Sequence, residues 1–149
     1  MNRLNNKVSV VLGGAKGIGL AISQRFAHEG AATWFTSRRD EELQAAAATI
    51  GNNALPLRAD VSPQSALIRL MEKVQAESGH IDVLVINAGM SEHATLEQIS
   101  ADHFEQIFGL NVRSPVFALQ AALPLLKPGA SVVLIGSIAD VIGSVSYTH

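Results

Sequence analysis

At 149 residues the chain has the length of one domain, and 48% hydrophobic against 16% charged residues excludes a disordered segment or a solvated tail. A net charge of −2, with no basic run beyond Arg38 and Arg39, argues against a nucleic-acid partner, and the absence of cysteine excludes disulfides and thiolate metal sites. His28, His80, His93, His103 and His149 have no ligand spacing, so no metal is expected; the polar start and short apolar run behind it suit neither a signal nor a membrane span, so a cytoplasmic location is expected.

Residues 8–12 (V-S-V-V-L) are apolar, β-branched and too few for a helix, which predicts a buried strand. Glycines follow at 13, 14, 17 and 19. From Ile18 onward, Ile18, Ala21, Ile22, Phe26 and Ala27 fall on one helical face, ended by Gly30. The glycines therefore lie between a strand and a helix N-terminus, where unpaired backbone N–H groups and the positive end of the dipole attract an anion such as a phosphate. A tight turn without a ligand is the other reading of this stretch.

Residues 31–36 predict a second strand, leading into Ser37, Arg38 and Arg39, and Asp40 is placed to cap a helix reaching Ile50. A third strand is expected over 54–59, interrupted by Pro56 and so near a sheet edge. Ser62 as N-cap and Pro63 at the first position open a helix with Leu67, Leu70, Met71 and Val74 at helical spacing. Residues 81–86 (I-D-V-L-V-I) read as a strand covered on both faces, ended by Asn87, Ala88 and Gly89. Thr95 to Gln98 matches a capping box opening a helix to about Phe108. Residues 111–127 predict a long helix buried on more than one side, and 131–136 a fifth strand; 137–149 show no periodicity.

Strict alternation of strands and helices implies one α/β domain with a parallel sheet covered on both faces, whose ligands bind beyond the carboxyl ends of the strands. Gly13 to Gly19, Ser37 to Arg39, Asp60, Asn87 to Gly89 and Ser137 all fall at such ends.

On these residues the chain resembles the N-terminal part of a short-chain dehydrogenase/reductase, over essentially its whole length. The glycines fit that family's G-x-x-x-G-x-G (Gly13, Gly17, Gly19), with Gly14, Lys16 and Ile18 inside the loop; Leu12 stands where the family has threonine, at an expected cost of one hydroxyl bond, about 0.5–1.5 kcal/mol. The resemblance implies a Rossmann-type doubly wound sheet with five of the family's strands present, and residues 1–149 as a single NAD(P)-binding domain. It implies that Asp60, beside the Val61 backbone, recognises the adenine amino group; helix capping is the alternative. Asn87, Ala88 and Gly89 resemble the N-A-G part of the family's motif, with Ile86 in place of its first asparagine. Ala88 and Gly89 leave room for ribose, while Asn87 could equally tie neighbouring strands. Asn111 matches the asparagine that holds a proton-relay water through a helix distortion, unless it is a bare N-cap.

Where NAD-binding strands end in a carboxylate, this chain has Ser37, Arg38 and Arg39, and no carboxylate before Asp40. Arginine pairs a 2′-phosphate through charge-assisted bonds, and Lys16 is a second partner, so NADP(H) is expected over NAD(H); a solvated arginine pair is the bland reading. By resemblance Ser137 polarises a substrate carbonyl, and a tyrosine about thirteen residues later, followed by x-x-x-Lys, exchanges the proton. Counting from Ser137 passes His149, and Tyr147, the one tyrosine, reads as a loop residue.

The expectations are therefore an NADP(H)-dependent oxidoreductase acting on a small carbonyl or alcohol. The chain is C-terminally incomplete relative to the family and, lacking the Tyr and Lys, inactive alone. A non-catalytic NADP-binding or regulatory module is the alternative. A methyltransferase fits less well, because its glycine spacing differs. The resemblance also implies a homo-oligomer paired through the 111–127 helix, and strand five is expected as an apolar sheet edge.

Overall fold

A computed structural model describes residues 2–137 of the chain. Five strands, β1 (Val8–Leu12), β2 (Ala32–Ser37), β3 (Ala54–Arg58), β4 (Ile81–Ile86) and β5 (Leu126–Leu134), form one sheet in the order β3-β2-β1-β4-β5, every pairing parallel. β1 is central and every one of its residues is buried. β3 runs through Pro56 without the expected interruption, Pro56 pairing opposite Phe35, and its position explains the tolerance: β3 is an edge strand, where a residue without an N–H removes no ladder bond needed by a second neighbour.

Side chains alternate across the sheet with period two, and this sorts the core into two layers. Val10, Leu12, Trp34 and Leu84 face helix α3 (Gln64–Ser78), through Leu67, Leu70, Met71 and Val74, and helix α5 (Ser114–Ala122), through Ala118 and Ala122. Val11, Phe35 and Val85 face the other way, against Leu43 and Ala46 of α2 (Asp40–Ile50) and beside α1 (Gly17–His28). Each fully buried Leu, Val or Phe contributes about 1.5–3 kcal/mol relative to exposure, so these two layers rather than local propensity hold the helices to the sheet.

Several helix boundaries differ from expectation. Asp40 lies inside α2, whose N-cap is Arg39, and its carboxylate reaches across to Arg58 of β3 at 2.8 Å instead of capping. Pro63, not Ser62, is the N-cap of α3; Asp60 Oδ1 accepts the Ser62 N–H at 3.0 Å and stabilises the turn before it. The Thr95–Gln98 box closes only a turn, Gln98 Oε1 accepting from the Thr95 N–H at 3.2 Å. The helix itself, α4 (Ala101–Phe108), starts at a second cap, Ser100 Oγ accepting from the His103 N–H. Ile18 and Ala21 of the expected α1 face are exposed, and Gly19, Ser23 and Ala27 are the residues that α1 buries.

The predicted 111–127 helix is the largest correction. α4 runs without a break through a π-helical turn (Gly109–Arg113) into α5, and a short 3-10 turn (Leu123–Leu125) ends it, so Asn111 is no N-cap and Lys127 belongs to β5. β5 begins earlier than expected because Leu126 already pairs with Ile81. The Lys127-Pro128-Gly129 stretch bulges out before the register resumes at Ser131 opposite Val83. No helix among the described residues is long and apolar enough to cross a membrane.

Candidate functional site

The sheet order reverses between β1 and β4, and a crevice opens there beyond their carboxyl ends. The chain leaves β1 through Gly13 at φ +75°, a left-handed conformation that any side chain would strain. A Cβ there would also lie 2.9 Å from the Ala88 Cα. The loop after β1 and the loop after β4 therefore touch. Asn87 secures the contact: its Nδ2 donates to the Gly13 carbonyl at 3.0 Å and its backbone N–H to the Leu12 carbonyl at 3.2 Å. Asn87 thus ties the ends of β1 and β4 while also lining the crevice.

Leu12 is fully buried, and the hydroxyl missing at that position comes from elsewhere. Thr36 Oγ1, at the end of β2, accepts the Gly13 N–H at 2.9 Å, so the turn keeps one hydroxyl bond. Helix α1 then starts after its N-cap Lys16, which lines the crevice, with no side-chain cap on its first-turn N–H groups.

Gly13, Lys16, Ser37, Arg38, Arg39, Asp60, Val61, Asn87, Ala88 and Gly89 line one cleft of about 370 Å³. The other four loop residues do not line it. Gly14 packs behind against Ser23, Phe35 and Val11; Gly19 is buried against Asn87; Gly17 (φ +49°) and Ile18 stand in the open first turn of α1. Thr36, Ala15, Ala59, Ser62, Leu110 and Glu42 also line the cleft.

Glu42 is the consequential addition. One oxygen accepts from Ser37 Oγ at 2.6 Å; the other lies 2.8 Å from Lys16 Nζ and in contact with the Arg39 guanidinium. These contacts, Lys16 first and Ser37 next, outweigh the opposing effect of burial and lower its pKa to about 2, so it is an anion at neutral pH. Arg38 lines the same cleft and is in no ion pair with a described residue. Asp60 lines it too, while capping the Ser62 turn.

Asn111 sits in the π turn, a helix distortion of the kind the resemblance implies. Its side chain is spent on one residue: Oδ1 accepts from the Met90 N–H at 2.9 Å and Nδ2 donates to the Met90 carbonyl at 2.7 Å, which pins the loop after Gly89. Val61 is tied to α5 by Ser114 Oγ, which donates to the Val61 carbonyl at 2.6 Å. Ser137 is exposed, three residues past β5 and outside the cleft lining; Tyr147 lies outside the described residues.

The cleft fits a dinucleotide in its chemistry, with an uncapped helix N-terminus, three cations and close glycine packing that keeps side chains out of the crevice. A parallel doubly wound sheet with a glycine loop and such a cleft at its switch point defines a Rossmann-type fold. The chain belongs to the short chain dehydrogenase family, whose model matches residues 7–149. It is 38% identical over 146 residues to oxidoreductase asL5 of Sarocladium schorii, covering 97% of this chain and 59% of that protein. Among solved structures, the Pseudomonas aeruginosa RhlG/NADP active-site complex superposes with a TM-score of 0.88 at 31% identity, covering 97% of this chain and 61% of that one. A Burkholderia cenocepacia short chain dehydrogenase in complex with NADP gives 0.89 at 34% identity, covering 94% and 59%. The chain thus spans about 60% of the length of the relatives it matches.

Proposed function

We propose that this chain is the coenzyme-binding portion of an NADP(H)-dependent oxidoreductase acting on a small carbonyl or alcohol. One observation carries the reading. Lys16, the N-cap of an α1 that has no side-chain cap, and the cations Arg38 and Arg39 line one cleft at the switch point of the sheet. Two of the similar structures are described as NADP complexes, which supports the choice of coenzyme.

In this reading the N–H groups of 17–19 hold the pyrophosphate, with Gly13 and Gly14 keeping the turn compact. Asp60 and the Val61 backbone meet adenine, Ala88 and Gly89 leave space for ribose, and Ser37, Arg38, Arg39 and Lys16 meet the 2′-phosphate. Bound nicotinamide supplies hydride donation or acceptance. Ser137 polarises the substrate carbonyl, and the Asn111 backbone in the π turn holds a relay water while its side chain stays on Met90. Within these 149 residues no Tyr-x-x-x-Lys follows Ser137, so the proton-transferring pair of the family is not among them. A second copy of the chain packs on the exposed face of the α4–α5 helix.

Fluorescence titration with NADPH and NADH tests the assignment. The unmodified protein binds both, NADPH the tighter. Arg38→Ala lowers NADPH affinity about ten- to a hundredfold, the worth of a charge-assisted phosphate contact, and leaves NADH nearly unchanged. Tighter binding of NADH by the unmodified protein overturns the preference, and failure to bind either overturns the coenzyme reading.

A further inference from the structure

The 2′-phosphate reading above leaves Glu42 without a part, yet Glu42 holds three of the four groups that reading assigns to the phosphate. Its carboxylate accepts from Ser37 Oγ at 2.6 Å, lies 2.8 Å from Lys16 Nζ and contacts Arg39. Only Arg38 is left with no carboxylate partner among the described residues. A phosphate entering this end of the cleft therefore meets an anion already seated on its partners. A ribose 2′-hydroxyl meets a different environment, since it can donate to a carboxylate held at the end of β2. That is the interaction by which a strand-end acid recognises the ribose of NAD.

We infer that Glu42 is the specificity-determining residue of this cleft, an internal counterion that occupies the 2′-phosphate position and keeps NAD(H) binding nearly as good as NADP(H) binding. The inference rests on the coenzyme assignment above and deepens it. The cations favour the phosphate, Glu42 opposes it, and the preference is their difference. The positions support this division of labour. Glu42 projects from the first turn of α2, and its side chain is only 16% exposed. Lys16 and Arg39 are long, flexible chains 65% and 64% exposed, so they can swing from the carboxylate to a ligand while Glu42 stays. Because the carboxylate stays ionised far below neutral pH, the competition is present under all ordinary conditions.

The test compares NADPH and NADH binding to the unmodified protein, Glu42→Gln and Glu42→Asp. In the unmodified protein the two dissociation constants lie within about tenfold of each other, because repulsion at the carboxylate cancels most of the gain from the cations. Glu42→Gln keeps the shape and removes the charge, so it strengthens NADPH binding about tenfold or more, weakens NADH binding, and steepens the fall of NADPH affinity with added salt. Glu42→Asp, shorter but charged, keeps the ratio near that of the unmodified protein.

A preference for NADPH beyond about a hundredfold in the unmodified protein overturns the inference, whatever the variants do. So does an unchanged or lower NADPH:NADH affinity ratio in Glu42→Gln, which would make Glu42 a support that positions Lys16 and Arg39. The NADH arm monitors folding, since an unfolded variant loses both coenzymes; in that case the ratio in the unmodified protein decides. Failure of the unmodified protein to bind either coenzyme overturns the coenzyme assignment itself, an outcome distinct from a wrong ratio.

Discussion

Glu29 and Glu42 are both held below the ordinary carboxylate value of 4.5, for local reasons. Glu29 is 1% exposed at the end of α1. Its Oε2 accepts the Arg3 N–H at 3.1 Å, the largest cause of the shift, outweighing burial, and its Oε1 pairs with Arg25 at 2.5 Å. A lowered folded value means that the unfolded chain takes up protons first as the medium acidifies. The stability these groups contribute is therefore complete above pH 4.5 and is lost as pH falls below it, for Glu42 down to about pH 2. Thermal unfolding followed across this range should show a loss that is shallower in Glu29→Gln than in the unmodified protein; equal slopes would mean that the Arg3 and Arg25 contacts contribute nothing. Glu42 also marks the limit of what residue spacing reveals at the site. Spacing along a strand end places Ser37, Arg38 and Arg39 at the cleft correctly, but the carboxylate five residues past Ser37 reaches them only because the first turn of α2 folds back. Likewise Thr36 replaces the hydroxyl missing at Leu12 from a neighbouring strand, a proximity set by the register Val11 opposite Phe35 and invisible along the chain.

The elements that were legible are those whose hydrophobic period matches their burial. β1 and β4 read as apolar runs because both faces are covered, and α3 shows its buried Leu67, Leu70, Met71 and Val74 at 3- and 4-residue spacing. The stretch 101–134 was misdivided for a physical reason: the π turn shifts the helical phase at Gly109, so α4 and α5 share no single period, and Lys127-Pro128-Gly129 is a bulge inside a strand rather than its boundary. The same region ties the cleft to α5. Ser114 is 2% exposed and its hydroxyl donates to the Val61 carbonyl at 2.6 Å, fixing the loop that carries Asp60. Ser114→Ala leaves that carbonyl unsatisfied and should destabilise the protein by about 1–3 kcal/mol, measurable by urea unfolding. It should also weaken coenzyme binding, because the Asp60 loop loses its anchor. A variant as stable as the parent would show that water replaces the hydroxyl.

At the scale of the whole molecule, the alternation of strands and helices is enough to define the parallel sheet and to put Gly13, Ser37 to Arg39, Asp60 and Asn87 to Gly89 together in a cleft at its carboxyl ends, but not the surfaces left uncovered. Phe104 and Phe108 stack with ring centroids 4.2 Å apart at 48% exposure each. Phe108, Val112 and Val116 line one shallow groove, Val112 and Val116 being 53% and 61% exposed. The expectation that this helix is buried on more than one side therefore holds only for its inner face, through Ala118 and Ala122. A row of four large apolar side chains is more than isolated surface leucines and valines account for, and such patches mark association surfaces. The row runs along one continuous helix, so a second copy approaching with its own α4–α5 helix antiparallel would match it residue for residue, as a two-fold interface requires. Phe108→Ser combined with Val116→Glu places a charge and a hydroxyl in that row, and neither residue lines the cleft beyond β1 and β4. Light scattering should show the parent chain as a dimer or larger species at micromolar concentration and the double variant shifted toward monomer, with NADPH binding unchanged. A parent chain that is already monomeric would remove this face as the site of pairing, and a variant that stays associated would move the interface to the exposed Val132, Val133 and Leu134 of β5.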